Sequence, residues 1–214
     1  VDPLDIVEDY GADTLRTYVL FMGDYGAASP WNDSSVKGCK RFLERFAELT
    51  SIAKGSGVTQ KLDTPIQKVI KKVTLDIEDM KFNTAIAAMM ALLNEITDTK
   101  SITKDEYELF ITLLNPFAPH ITEEMWSLCK LEGVLSQHSW PEYDEAKTVD
   151  NEVEIVVQIN GKMRHKMVVP AEADKDALAC AVMEADEVKA LLEGQRVIKT
   201  IAVPGKLVNI VVAK

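Results

Sequence analysis

The sequence predicts a mainly helical bundle over residues 1–150, then a small α+β domain over 151–214 in the order strand, strand, helix, helix, strand, strand. Two changes near position 150 carry this division. The apolar period passes from about 3.6, the repeat of a helix face, to 2, the alternation of a half-buried strand. Charge changes at the same place: residues 1–150 hold 15 basic and 25 acidic side chains, whereas residues 151–214 hold nine of each. The boundary falls in the polar stretch Glu142 to Glu152. With 47% hydrophobic residues in 214, the chain has enough apolar surface for real cores, which excludes an intrinsically disordered protein.

Asp2 caps a short first helix with Pro3 at its first position, and Gly11 suits the left-handed exit after its last turn. A second helix runs from about Asp13 to Met22, and Gly23 to Asp33, with Gly26, Ser29, Pro30 and Trp31, reads as a loop. Ser34 or Ser35 opens a long helix with Val36, Cys39, Leu43, Phe46 and Leu49 at core spacing, ended by Gly55 and Gly57. Ile66, Val69, Ile70, Val73, Ile77 and Met80 form one further stripe, and Phe82, Ile86, Met89, Met90, Leu93 and Ile96 the next, so these two helices pack antiparallel. Thr103 with Glu106 spells a capping box for a helix through Tyr107, Phe110, Leu113 and Leu114, which stops before Pro116 and Pro119. A short helix from His120 to Leu128 follows.

In the second part, Val153, Ile155, Val157 and Ile159, then Asn160-Gly161, then Met163 to Val169 and Pro170 signal a β-hairpin. A three-residue loop, Ile159-Asn160-Gly161, pairs Val157 with Met163, Ile155 with His165 and Val153 with Met167, keeping charge off the apolar face. The outward face then carries Lys162, Arg164 and Lys166 in a row. Ala177, Cys180, Ala181 and Glu184 belong to one helix and Val188, Leu191 and Leu192 to a second. Val197 to Val203, a Pro204-Gly205 turn and Leu207 to Val212 make the second hairpin.

Several function classes are excluded at this level. A formal charge of -10 opposes tight, non-specific nucleic-acid binding over the whole chain, because phosphate contacts need cations. Cys39, Cys129 and Cys180 form no C-x-x-C pair, which argues against a disulfide framework and a structural zinc site and places the protein in the reducing cytoplasm. The longest apolar run, Ala85 to Leu93, is nine residues, too short to span a bilayer, and no signal-peptide pattern opens the chain, so no membrane partner is expected. The start Val-Asp-Pro reads as a cut from a longer chain. Gly161-Lys162 lacks the spaced glycine of a phosphate loop, His120-x-x-Glu123 lacks the second histidine of a zinc protease, and His120, His138 and His165 are scattered away from any nucleophile. No catalytic residue, cofactor-binding residue or metal ligand is expected within this chain.

Four strings carry more: VDPLDIVEDYGADTLRTYVLFMG at Val1 to Gly23, SPWNDSSVKGCKRFLERF, KFNTAI at Lys81 to Ile86, and LNPFAPHITEEMW at Leu114 to Trp126. Together they resemble class I aminoacyl-tRNA synthetases beyond their catalytic domain, and SPWNDSSVKG with the tail QINGKMR and VIKTIAVPGKLVNIVV resembles the leucine-specific bacterial branch. The resemblance covers essentially the whole chain. It implies an anticodon-binding-type helical domain followed by a small tRNA-binding C-terminal domain, with tRNA(Leu) and the catalytic domain of the same parent chain as partners, in a monomer. The parent would use ATP and Mg²⁺ to leucylate tRNA; the HIGH and KMSKS motifs are absent here, so the fragment alone would need no cofactor and would not catalyse. In this family picture the contacts are to backbone and shape, as suits folded RNA whose deep groove excludes side chains.

The residues that would carry such contacts are Lys37, Lys40, Arg41 and Arg45 on the long helix, a stripe balanced by Glu44 and Glu48 that also suits a solvated face. In the second part they are Lys162, Arg164 and Lys166 with Lys199 and Lys206, although lysines on edge strands also serve simply to block aggregation. Trp31 reads as a loop plug, Phe117 and Trp126 as anchors of the proline bend, and Met89 and Met90 as core filling. Two alternatives stand beside this reading: an acidic helical protein-interaction scaffold, and the equivalent domain of an isoleucyl, valyl or methionyl enzyme.

Overall fold

The computed structural model describes residues 1–23, 29–149 and 152–213. Gly26 of the expected loop and Asp150 of the expected boundary lie outside the described residues. The chain forms two compact units, Val1–Thr148 and Val149–Lys214.

In the first unit, α1 (Pro3–Tyr10) starts where the Asp2 carboxylate accepts the Leu4 N–H at 2.9 Å. Gly11, at a φ of +89°, turns the chain directly into α2 (Ala12–Phe21). Helix α3 (Asp33–Glu48) begins before the expected serines because Asn32 is the cap: its Oδ1 accepts the N–H groups of Ser34 and Ser35 at 2.9 and 3.2 Å. It also ends before the two glycines, passing through a 3₁₀ turn, Leu49–Ser51. Helices α4 (Gln60–Glu78), α5 (Phe82–Thr99), α6 (Lys104–Leu114) and α7 (Pro119–Leu128) complete the bundle.

The core gathers the stripes read from the sequence. Ile66, Ile70 and Val73 of α4 meet Ile86, Met89, Leu93 and Ile96 of α5, while Phe46 of α3 stands edge-on to Phe110 of α6 with centroids 5.0 Å apart. Ile6, Tyr18, Val36 and Cys39 form a second, smaller cluster where α1, α2 and the start of α3 meet, and burial in the two clusters rather than helix propensity holds the bundle. The α7 N-terminus is capped from a distance: Asp13 accepts the Ile121 N–H at 2.7 Å and bonds His120 Nδ1 at 2.8 Å.

The second unit is a four-stranded sheet in the order β2-β1-β4-β3, built from β1 (Glu152–Ile159), β2 (Lys162–Pro170), β3 (Arg196–Val203) and β4 (Leu207–Ala213). The two hairpins are antiparallel and are joined by parallel pairing of β1 with β4. Helices α8 (Lys175–Glu184) and α9 (Asp186–Leu191) cover one face, where Leu178, Val182, Val188 and Leu192 bury Ile155, Val157, Val208 and Ile210.

The first hairpin departs from the expected register. Its loop has two residues, Asn160 (φ +50°) and Gly161 (φ +76°), both left-handed as a type I′ turn requires. Ile159 pairs with Lys162 and Gln158 with Met163; a bulge then leaves Arg164 unpaired, so that Val157 meets His165, Ile155 meets Met167 and Val153 meets Val169. The twist of the strands favours the primed turn over a three-residue loop, and the bulge restores Met167 and Val169 to the apolar face further along. The expected outward row of three cations is therefore broken. Lys162, opposite Ile159, lies on the helix-covered side of the sheet, whereas Lys166, opposite Val156, lies on the open side.

Candidate nucleic-acid interface

The four cations of α3 separate by what each already touches. Arg45 donates to Asn94 Oδ1 at 3.0 Å and to Thr97 Oγ1 at 3.1 Å, tying α3 to α5. Lys40 reaches the Asp9 carbonyl at 3.5 Å and sits 5.4 Å over the Tyr10 ring, clasping the end of α1. Lys37 and Arg41, one turn apart, are exposed and have no ion-pair or hydrogen-bond partner among the described residues.

In the second unit, Lys166 forms an ion pair with Glu154 at 2.7 Å on the open face of the sheet. Lys199 shares that face on the opposite edge strand, opposite Val211, and Lys206 sits in the β3–β4 turn, its carbonyl accepting the Val156 N–H at 3.1 Å. Lys162 and Arg164 line a concavity of about 320 Å³ with Ile159, Asn160, Leu191 and Gln195. No carboxylate lines it, in a chain with 34 acidic residues. The structure thus groups Lys162 with Arg164 and sets Lys166 apart. Gln195 was not foreseen as part of this site, since only the bulge and the end of α9 bring it beside the hairpin turn.

The aromatic candidates are engaged in packing. Trp31 stands edge-on to Tyr18, centroids 4.7 Å apart, and its indole N–H donates to Asp33 at 2.7 Å. Phe117 and Trp126 are buried. Among the described residues no group of His, Cys, Asp and Glu could hold a metal ion, and no helix is long and apolar enough to cross a membrane.

Burial raises the Cys39 thiol to about 11 and raises Tyr107 and Cys129 as well. These groups are buried or half-buried in the helical unit and report packing rather than chemistry.

A profile of the family described as "anticodon-binding domain of tRNA ligase" matches residues 60–179, from α4 into α8. Over 213 residues the chain is 47% identical to the leucine–tRNA ligase of Alkaliphilus oremlandii, covering 99% of this chain and 27% of that relative. The leucyl enzyme agnB2 LeuRS of Agrobacterium radiobacter K84, in its ternary complex with tRNA and LeuAMS, superposes with a TM-score of 0.70 at 29% identity, over 100% of this chain and 30% of that one. The chain therefore spans under a third of the length of these relatives.

Proposed function

This chain belongs to the family of anticodon-binding domains of tRNA ligases, and on that premise we propose that it holds tRNA(Leu) for leucylation by a catalytic domain of a longer, cytoplasmic, monomeric enzyme. The observation that carries this reading is a likeness to a leucine–tRNA ligase that runs unbroken through both units. ATP and Mg²⁺ serve the catalytic domain; the residues described above bind and orient RNA.

Electrostatics gives the reading its physical form. With 25 acidic side chains against 15 basic ones over residues 1–150, most of the first unit repels phosphate. The RNA backbone then docks at cations that have no partner among the described residues, Lys37 and Arg41 on α3 and Lys162 and Arg164 in the second unit. Lys199, on the open face at the other edge of the sheet, and Lys206, in the β3–β4 turn, offer RNA a separate contact. Lys40, Arg45 and Lys166 support the surface through the contacts they make within the chain. Repulsion elsewhere is useful, since it penalises registers that would lay phosphate on the acidic flanks.

The test is binding of the chain to tRNA(Leu) and to a non-cognate tRNA across a salt series, beside residues 1–148 alone. Preference for tRNA(Leu), a steep fall with salt, and loss of affinity without the second unit support the reading. A second reading, a scaffold that binds a protein, is favoured by one feature: the open face of the sheet exposes Met163, Val168 and Ile201. It predicts no tRNA binding at low salt and a partner interaction that salt barely alters.

A further inference from the structure

The geometry points to the concavity beside the Asn160-Gly161 turn as the seat of a single backbone phosphate, with Lys162 and Arg164 as its ligands and Asn160 and Asn209 as positioning residues. This rests on the reading that the second unit contacts tRNA, and adds which atoms do so and what holds them. Two side chains of a strand, two positions apart, would ordinarily share a face, but here Lys162 lies beside the turn and Arg164 is the extra residue of a bulge. Both still line the same hollow, which contains no acid to compete with a phosphate.

The turn that carries them is fastened to β4 by four hydrogen bonds. The Asn160 side chain imitates a peptide unit: its Oδ1 accepts the Val212 N–H at 3.0 Å and its Nδ2 donates to the Val212 carbonyl at 3.2 Å. The Asn160 N–H donates to the Ile210 carbonyl at 2.9 Å, and Asn209 Oδ1 accepts the Gly161 N–H at 3.0 Å. A hairpin tip is ordinarily held by its own two strands alone. Here two asparagines fix it to the centre of the sheet, so the backbone that carries Lys162 and Arg164 is already placed and only their side chains are ordered by the phosphate.

The experiment is tRNA(Leu) binding by the whole chain across a salt series for Lys162→Ala, Arg164→Ala, the double variant, and Asn209→Ala alone and within the double. One seat shared by both cations predicts that the double variant lowers the salt slope by about 1, as a single lost phosphate contact does. Asn209→Ala weakens binding several-fold in the parent chain and adds nothing in the double variant. A slope change of about 2 shows separate phosphates and overturns the seat, as does an unchanged slope. An additive effect of Asn209→Ala overturns the positioning role. The lysine and arginine are exposed, so their variants test the seat even where Asn209→Ala loosens the fold. If the unsubstituted 214-residue chain binds no tRNA at any salt, the underlying reading fails; if it binds and the double variant matches it, only the seat fails.

Discussion

The carboxylate of Glu106 and residue Thr59, 47 positions apart, are joined twice: Glu106 Oε1 accepts both the backbone N–H and the hydroxyl of Thr59 at 2.6 Å. The other oxygen, Oε2, accepts the Thr103 N–H at 2.8 Å, completing the capping box of α6. One fully buried carboxylate thus closes the start of α6 and fixes the approach to α4.

Glu106→Ala leaves three donors without this acceptor, the buried Thr103 N–H among them and two on exposed Thr59, and is expected to destabilise the bundle by about 3 kcal/mol. Glu106→Gln keeps one acceptor oxygen but turns an amide toward a donor, and is expected to cost about 2 kcal/mol. Urea unfolding followed by circular dichroism checks both, and a loss below about 0.5 kcal/mol for Glu106→Ala contradicts this account.

Asp13→Ala removes the remote cap of α7, taking the acceptor from the Ile121 N–H and from His120. A destabilisation of about 1–2 kcal/mol is expected, as for loss of an N-cap. Faster amide hydrogen exchange in the first turn of α7 gives the local readout.

Arg45→Ala and the pair Lys37→Ala with Arg41→Ala are expected to behave oppositely. The first removes two hydrogen bonds to α5 and lowers stability by about 1 kcal/mol. The second leaves the melting temperature in place and weakens tRNA binding, lowering the salt slope by about 1–2. Equal effects of both on binding, with none on stability, argue against the division of that helix face.

Iodoacetamide at pH 8 is expected to label exposed Cys180 and to spare Cys39, which is buried and whose pKa stands near 11, as peptide mass spectrometry of the native protein can show. The same shift sets a sign for stability. The folded state holds the Cys39 proton more tightly than a thiol of ordinary pKa 9.0, so its contribution is intact below pH 9 and is lost as pH rises toward about 11. Cys39→Ala removes that part of the alkaline decline in an unfolding titration.

Much of this was legible because it is local. The spacing of Thr103 and Glu106 announces a capping box, and the stripes of α4 and α5 announce a shared core, since i, i+3 and i+4 neighbours need no knowledge of the rest of the chain. What Glu106 does at Thr59 was not legible, because nothing in the sequence brings those two positions together. The hairpin shows the same limit from another side. Asn160-Gly161 correctly marks a turn, but a bulge at Arg164 shifts the alternation, so a strict period of 2 that holds for His165, Met167 and Val169 puts Lys162 and Met163 on the wrong faces. The charges of α3 could be counted; that Arg45 is held by Asn94 and Thr97 while Arg41 has no partner among the described residues depends on which helix passes alongside.

The parallel pairing of β1 with β4 also has a consequence for synthesis on the ribosome. When β1 and β2 have emerged, they form a hairpin whose inner edge, from Val156 to Ile159, waits for partners at Leu207 to Ile210. About forty residues beyond Pro170 must still be translated before that edge is covered, and until then the nascent chain presents an apolar strand edge to its surroundings. The order of the strands makes this unit finish last and all at once, so a pause in translation between Val203 and Leu207 should favour chaperone capture or proteolysis more than a pause within the helical bundle.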